Sequence, residues 1–316
     1  MSYWTDRNVF VTGATGLVGS HLVKRLVDDG ADVVALVRDF VPNSHLVRNG
    51  YYNKIRRVLG DIVDRDITER IVCEYEVDTV FHLAAQTQVY VANKSPYGTL
   101  NTNIMGSVSV LEACRNAGVR RMVVSSSDKA YGDAGKIYTE DMALNGIHPY
   151  EVSKSCEDMI GRSYSKSFDM SIAVARCGNI YGAGDLNFSR LIPKTIRNII
   201  RGKKPEIYGD GGMVRDYLYI DDCVDAYMLL GESGNVGAYN FSGEEPTNVR
   251  NTVQMICDIM GIEFDAEFLG TRNEIDSQWL DITKAKKELG FLPKYKLADG
   301  LVKTIEWYKG FLCEQG

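Results

Sequence analysis

Tyr150 and Lys154 stand at i and i+4, and three serines, Ser125, Ser126 and Ser127, close an apolar run that begins at Arg121. At that spacing a tyrosine and a lysine share one face of a helix, and Pro149 suits the first turn of such a helix. A free phenol, with a pKa of about 10, is a poor base at neutral pH. An ammonium beside it, together with the positive ring of an oxidised nicotinamide, favours the phenolate. A serine hydroxyl can then hold a substrate oxygen while the phenolate takes its proton. Tyr-x-x-x-Lys alone also describes a solvated helix face, so its meaning depends on the elements around it.

Those elements alternate strand and helix. RMVVSSS reads as a buried strand whose polar end lies where open parallel sheets bind ligands. NVFVT at 8–12 leads through GATGLVG into SHLVKRLVDDG, which is strand, glycine turn, helix. Gly13, Gly16 and Gly19, with Leu17 and Val18 between the last two, permit a tight turn, close approach of backbone to a pyrophosphate and close helix–strand packing. ADVVALV is the next strand and ends before Arg38 and Asp39. A carboxylate there suits the ribose diol of NAD, and an arginine suits the 2′-phosphate of NADP. Asp61, after a third strand, either reaches an adenine amino group or caps a helix beginning near Asp66.

VDTVFHLAAQ at 77–86 is a fourth strand, and Leu83, Ala84 and Ala85 after it let a cofactor lie close. His82, between apolar neighbours, reads as packed. Asn103 lies in an amphipathic helix over 101–118 and either binds backbone near the site or faces solvent. MSIAVARCGNIYG at 170–182 reads as a sixth strand ending in Asn179. Beyond it the alternation loosens. The expected fold is α/β, a Rossmann-like doubly wound parallel sheet with a smaller C-terminal α/β lobe. The expected division is a dinucleotide-binding domain over 1–178, with a return near 216–240, and a mainly substrate-binding lobe over 179–316.

The 316 residues, 45% hydrophobic and 25% charged, are enough for one large domain or two closely joined ones. A net charge of −6 argues against a nucleic-acid or anionic-membrane partner. No apolar stretch is long enough to span a bilayer, and MSYWTDRN holds no signal core, so a cytoplasmic location is expected. Seven scattered cysteines read as reduced core thiols, and four scattered histidines make a metal site unexpected.

The glycine turn, Asp61, HLAA, SSSDKAYG, Tyr150-x-x-x-Lys154, Asn179-Ile-Tyr-Gly and VRDYLYIDD occur in the order seen in the extended short-chain dehydrogenase/reductases. The chain resembles that family over nearly its whole length. The resemblance implies NAD(P) on the Rossmann domain, a nucleotide-sugar under the C-terminal lobe, and a homodimer pairing helices near 96–116 and 149–168. It also implies substrate contacts from Gln86, Asn179, Arg190, Leu191, Tyr208, Arg215 and Arg272, the arginines holding the diphosphate.

Ser127-Asp128-Lys129 is similar to the Ser/Thr-Asp-Lys arrangement of CDP-glucose 4,6-dehydratases and of some UDP-N-acetylglucosamine 4,6-dehydratases. RLIP at 190–193, GNIYGAGD at 178–185 and NEIDSQWLD at 273–281 resemble the CDP-glucose enzymes too. RDYLYIDD is closer to the general epimerase/dehydratase pattern, and LVRD at 36–39 lacks the usual acidic residue ending the second strand. In the dehydratase reading, oxidation at C-4 acidifies the C-5 proton, Asp128 protonates the departing 6-hydroxyl and Lys129 takes the C-5 proton. The resemblance favours NAD, while Arg38 leaves NADP open. The rivals are a 4-epimerase, with Asp128 and Lys129 as bystanders, and an NAD(P)-sensing binding protein, against which the intact Tyr, Lys and Ser set argues.

Overall fold

The computed structural model describes residues 2–270 and 275–314. Six short apolar runs become strands: β1 Asn8–Thr12, β2 Asp32–Val37, β3 Arg56–Leu59, β4 Thr79–His82, β5 Arg121–Ser125 and β6 Ile172–Cys177. Most of their residues are buried, as expected where helices cover both faces of a parallel sheet. Four shorter strands follow, β7 Asn179–Tyr181, β8 Glu206–Tyr208, β9 Val214–Arg215 and β10 Tyr217–Tyr219, and then β11 Gly237–Phe241. β11 returns to the main sheet, giving the order β11-β6-β5-β4-β1-β2-β3 with every pairing parallel. Strand order reverses between β1 and β4, and a crevice opens beyond the strand ends at such a point. The fold is the expected Rossmann-like α/β arrangement.

Helix Leu17–Asp28 buries Gly19, Leu22, Val23 and Leu26, one stripe at helical spacing, against this sheet. Helix Pro149–Phe168 starts with proline in its first turn, and Glu151 closes that turn by accepting the N–H groups of Ile147 and His148. The helix expected over 101–118 is interrupted at its start. Asn101–Met105 form a π-type turn before Gly106–Ala117, which rotates Asn103 into the interior.

The sixth strand is shorter than the sequence suggests. It stops at Cys177, and β7 pairs instead with β10 in a separate two-stranded sheet. Gly178 makes the break: a Cβ there would come 2.8 Å from the Asp216 carbonyl, which the next residue's N–H uses. Beyond the break Tyr181, Tyr217, Tyr219, Ile192, Ile196, Leu301 and Tyr308 form a second core under the helices Leu191–Ile200 and Leu297–Cys313. Among the described residues no helix is long and apolar enough to cross a membrane.

Candidate active site

One cavity of about 940 Å³ lies beyond the strand ends, between the main sheet and the second core. That volume is at the upper end for small-molecule sites. Its first wall is largely backbone. Gly13 adopts φ +74°, and a Cβ on it would lie 2.7 Å from Ala84 N. A Cβ on Gly19 would lie 2.1 Å from the Gly13 carbonyl, so helix and turn can close only without side chains there. The turn delivers the N-terminus of helix Leu17–Asp28 to the cavity, the usual place for a phosphate. Gly16, Leu17, Val18, Ile62, Leu83, Ala84 and Ala85 line the same wall. Asp61 lines it too and accepts the Val63 N–H at 3.2 Å. The following helix, Arg65–Glu74, is capped by Asp64 rather than Asp61, because Asp64 stands where its carboxylate can accept the Ile67 N–H. Arg38 and Asp39 sit at the rim as an exposed ion pair of 2.7 Å.

The middle of the cavity holds the residues capable of proton transfer. Tyr150, Lys154, Ser127, Asp128 and Lys129 all line it, brought together by the end of β5 and the first turns of helix Pro149–Phe168. Lys154 donates to the Ser125 carbonyl at 2.8 Å and to Glu157 at 2.7 Å. Lys154 acts on the Tyr150 pKa in the expected, lowering direction but is outweighed. Burial dominates and lifts the Tyr150 phenol above its ordinary value, while Lys154 and Arg190 pull the other way. A further positive charge is needed to free the phenolate, and an oxidised nicotinamide is one.

Asp128 is 3% exposed, and burial raises its pKa against the pull of Lys129. It accepts from Ser127 at 3.0 Å, while its Oδ2 has no hydrogen-bond partner among the described residues. Lys129 Nζ donates to Gln278 Oε1. A buried carboxyl with a raised pKa thus stands next to a lysine oriented by an amide.

The third wall comes from the second core. Arg215 is buried and donates to the carbonyls of Val214 and Ile275 at 2.8 Å each. Arg190 pairs with buried Asp185 at 3.1 Å. Leu191, Tyr208 and Asn179 line this wall, and Asn179 Nδ2 has no hydrogen-bond partner among the described residues. Gln86 is not brought to the cavity. Its backbone is clamped by Asn103, at 2.7 and 3.1 Å, and its side chain turns toward Thr99 and the Gln88 carbonyl. Asn103 therefore serves backbone near the site, settling the alternative left by the sequence. Arg272 lies outside the described residues. His82 is fully buried between Thr12 and Ser107.

Three residues escape the sequence reading. Glu157 lies three positions after Lys154, a spacing that puts it on the same helix face. Gln278 meets Lys129 across 149 positions, with no local signal. Asp216, beside Arg215, is buried, and burial lifts its carboxyl to about 7.

Comparison with known proteins follows the same lines. The family profile described as GDP-mannose 4,6 dehydratase matches residues 10–304. A trifunctional UDP-glucose 4,6-dehydratase/3,5-epimerase/reductase of Arabidopsis thaliana is 31% identical over 98% of this chain, which spans 48% of that protein's length. The crystal structure of a UDP-glucose 4-epimerase from Thermotoga maritima with UDP-glucose matches with a TM-score of 0.90, 31% identity and coverage of 96% and 99% of the two chains. A dTDP-glucose 4,6-dehydratase from Streptomyces venezuelae with NAD bound matches with a TM-score of 0.89, 28% identity and coverage of 96% and 97%.

Proposed function

This chain belongs to the GDP-mannose 4,6-dehydratase family of the extended short-chain dehydrogenase/reductases, and from that premise we propose that it is a nucleotide-diphosphohexose 4,6-dehydratase using NAD. The observation that carries the dehydratase reading is the pair after Ser127. Asp128, buried with its pKa raised, suits a donor to a departing hydroxyl, and Lys129 beside it suits the C-5 proton. The CDP-glucose preference rests on the likeness of Ser127-Asp128-Lys129 to those enzymes. UDP-glucose and dTDP-glucose figure in the names of the relatives above.

The cavity fits a dinucleotide, because the Gly13 and Gly19 cradle would be filled by any Cβ and ends at a helix N-terminus. When bound, NAD supplies a ring that takes the C-4 hydrogen with its electron pair and returns it at C-6. Tyr150, with Lys154 behind it, removes the 4-hydroxyl proton while Ser127 holds that oxygen. Asp128 gives its proton to the 6-hydroxyl, which leaves as water, and Lys129 takes the C-5 proton, exchanges it with solvent and returns a solvent-derived proton to C-5 once C-6 is reduced. Arg215 and Arg190 neutralise the diphosphate, and Tyr208, Asn179 and Leu191 flank it. Asp39, pairing with Arg38 at 2.7 Å, offsets the charge a 2′-phosphate would need, which favours NAD over NADP.

We take residues 1–178 with the return near 216–240 as the cofactor unit and 179–316 as mainly the substrate lobe. Exposed Tyr97, Met105 and Met159, on the helices near 96–116 and 149–168, support a homodimer formed through those helices. A 4-epimerase is the second reading, favoured by the likeness to the Thermotoga enzyme and by Gln278 holding Lys129.

Turnover of a panel of nucleotide-sugars in heavy water separates the two. A dehydratase breaks the covalent C-5–H bond and rebuilds it with a solvent-derived proton, so the product is a 4-keto-6-deoxy sugar with deuterium at C-5. Lys129→Met should abolish that exchange, and Asp128→Asn should slow elimination by about 100-fold or more. A C-4 epimer without deuterium at C-5, with both substitutions mild, would leave the epimerase standing.

A further inference from the structure

Lys154 does not meet the site alone. The carboxylate that takes its proton-bearing Nζ at 2.7 Å, Glu157, is 1% exposed and lies behind the cavity wall, so it reaches the reacting atoms only through the lysine. Its second oxygen lies 3.7 Å from His82 Nε2. That nitrogen shares a hydrogen bond with Ser107 at 2.9 Å, and His82 Nδ1 shares one with Thr12 at 2.8 Å. Thr12 ends β1, just before the glycine turn, and accepts the N–H groups of Leu83 and Ala84 at 3.1 Å each. A line of buried polar groups thus runs from Lys154 to the backbone of the first wall.

We propose that Glu157 is a positioning residue: it pins the Lys154 ammonium against the Ser125 carbonyl and, by holding or releasing its own proton, sets how much positive charge Lys154 presents to Tyr150. This rests on the reading of Tyr150 and Lys154 as the oxidising pair.

The groups facing Glu157 come from five elements. Tyr150, Lys154 and Asp158 share its helix; His82 comes from β4, Ser107 from helix Gly106–Ala117, the Ser125 carbonyl from β5 and Tyr227 from helix Ile220–Ser233. Asp158 is committed to Arg176 and Arg162, at 2.7 and 2.8 Å. Burial, and then the charge on Lys154, push the His82 pKa down to about 3, so it stays neutral. Burial lifts the Glu157 carboxyl to about 7 against the attraction of Lys154, and Glu157 in return helps to keep the buried lysine charged. The pair is therefore neutral when Glu157 is ionised and positive when it is protonated. In the first state Tyr150 holds its proton more tightly; in the second the ammonium acts on it unopposed.

Glu157→Gln copies the protonated carboxyl in shape and charge. The test is the ratio of variant to wild-type kcat/KM for the turned-over nucleotide-sugar across the neutral range. The ratio should stay near one below about pH 6 and climb to about three- to tenfold above about pH 8, with its midpoint close to the carboxyl's own pKa. Glu157→Asp, which keeps a titrating group, should retain the inflection with a displaced midpoint, and it serves as the probe if Glu157→Gln melts early. A purely structural glutamate predicts a ratio independent of pH, and that result in either folded variant overturns the proposal. Tyr150→Phe in the same assay keeps the two claims apart: activity there overturns the oxidising pair, whereas a dead Tyr150→Phe beside a flat Glu157→Gln ratio overturns the role of Glu157 alone.

Discussion

Along the first wall of the cavity, Gly13 has φ +74° and leaves no space for a Cβ beside Ala84; along the third, Arg215 is buried and held by two carbonyls, one of them 60 positions away. The first wall is backbone shaped by the absence of side chains within a strand–turn–helix unit. The third is side chains held by partners, Arg190 by Asp185 five positions away and Arg215 by Ile275 sixty positions away, and Lys129 in the middle is likewise held by distant Gln278. A backbone wall suits a ligand held through its phosphates, whereas a side-chain wall is where ligand choice can change without disturbing the sheet. The proton-transfer residues stand where the two meet.

Tyr150→Phe tests that junction and should have the largest effect. Only the phenolic oxygen is removed, from a ring that is 9% exposed, so folding and cofactor affinity should be retained. Loss of the base should lower kcat by about 1,000-fold or more, about 4 kcal/mol of barrier. Steady-state kinetics with a cofactor titration on the same sample checks both halves of the claim. A rate near that of wild type would remove Tyr150 from its role and leave the meeting of the walls without a base.

The same contrast explains what can be read from the chain. Gly13-x-x-Gly16-x-x-Gly19, the polar end of β5 and Tyr150-x-x-x-Lys154 are each local, so spacing alone brings their residues to one place. The site is legible in so far as it is made of such units. β6 and β7 are less so, because one glycine approached by the Asp216 carbonyl ends the strand, and nothing near Gly178 announces that partner. Gln86 illustrates the reverse case. Its place after the HLAA loop suggests a ligand contact, but a buried Asn103, turned inward by a π-type turn, claims its backbone first. Glu157 is legible in spacing but not in consequence: its burial, which gives it a pKa near that of the medium, is a property of the packed fold.

Arg215→Ala probes the third wall. A charge-assisted contact to a diphosphate is worth roughly 1.5–3 kcal/mol, so substrate affinity should fall about 10- to 100-fold. Cofactor affinity should stay within about twofold, because the first wall owes nothing to this side chain. Titrating each ligand separately gives the comparison directly. Equal losses for both would mean that the walls are mechanically coupled and that the division drawn above is wrong.

The smallest effect is expected at the rim of the first wall. Arg38 and Asp39 are 61% and 66% exposed in their side chains, so their 2.7 Å pairing is screened by water and contributes little to the fold. Its consequence is for recognition: as long as Asp39 faces Arg38, a 2′-phosphate entering here meets a carboxylate as well as a guanidinium. Asp39→Asn removes that repulsion and frees the arginine fork, while the amide can still hydrogen-bond a ribose hydroxyl. NADP should then bind about three- to tenfold more tightly than to wild type, with NAD changed by less than about threefold. Fluorescence titration of both dinucleotides against both proteins measures the four constants. If wild type already prefers NADP, the reading of the rim pair is wrong; if the substitution moves neither cofactor, the pair does not govern the choice, and a preference for NAD must come from the backbone of the first wall itself.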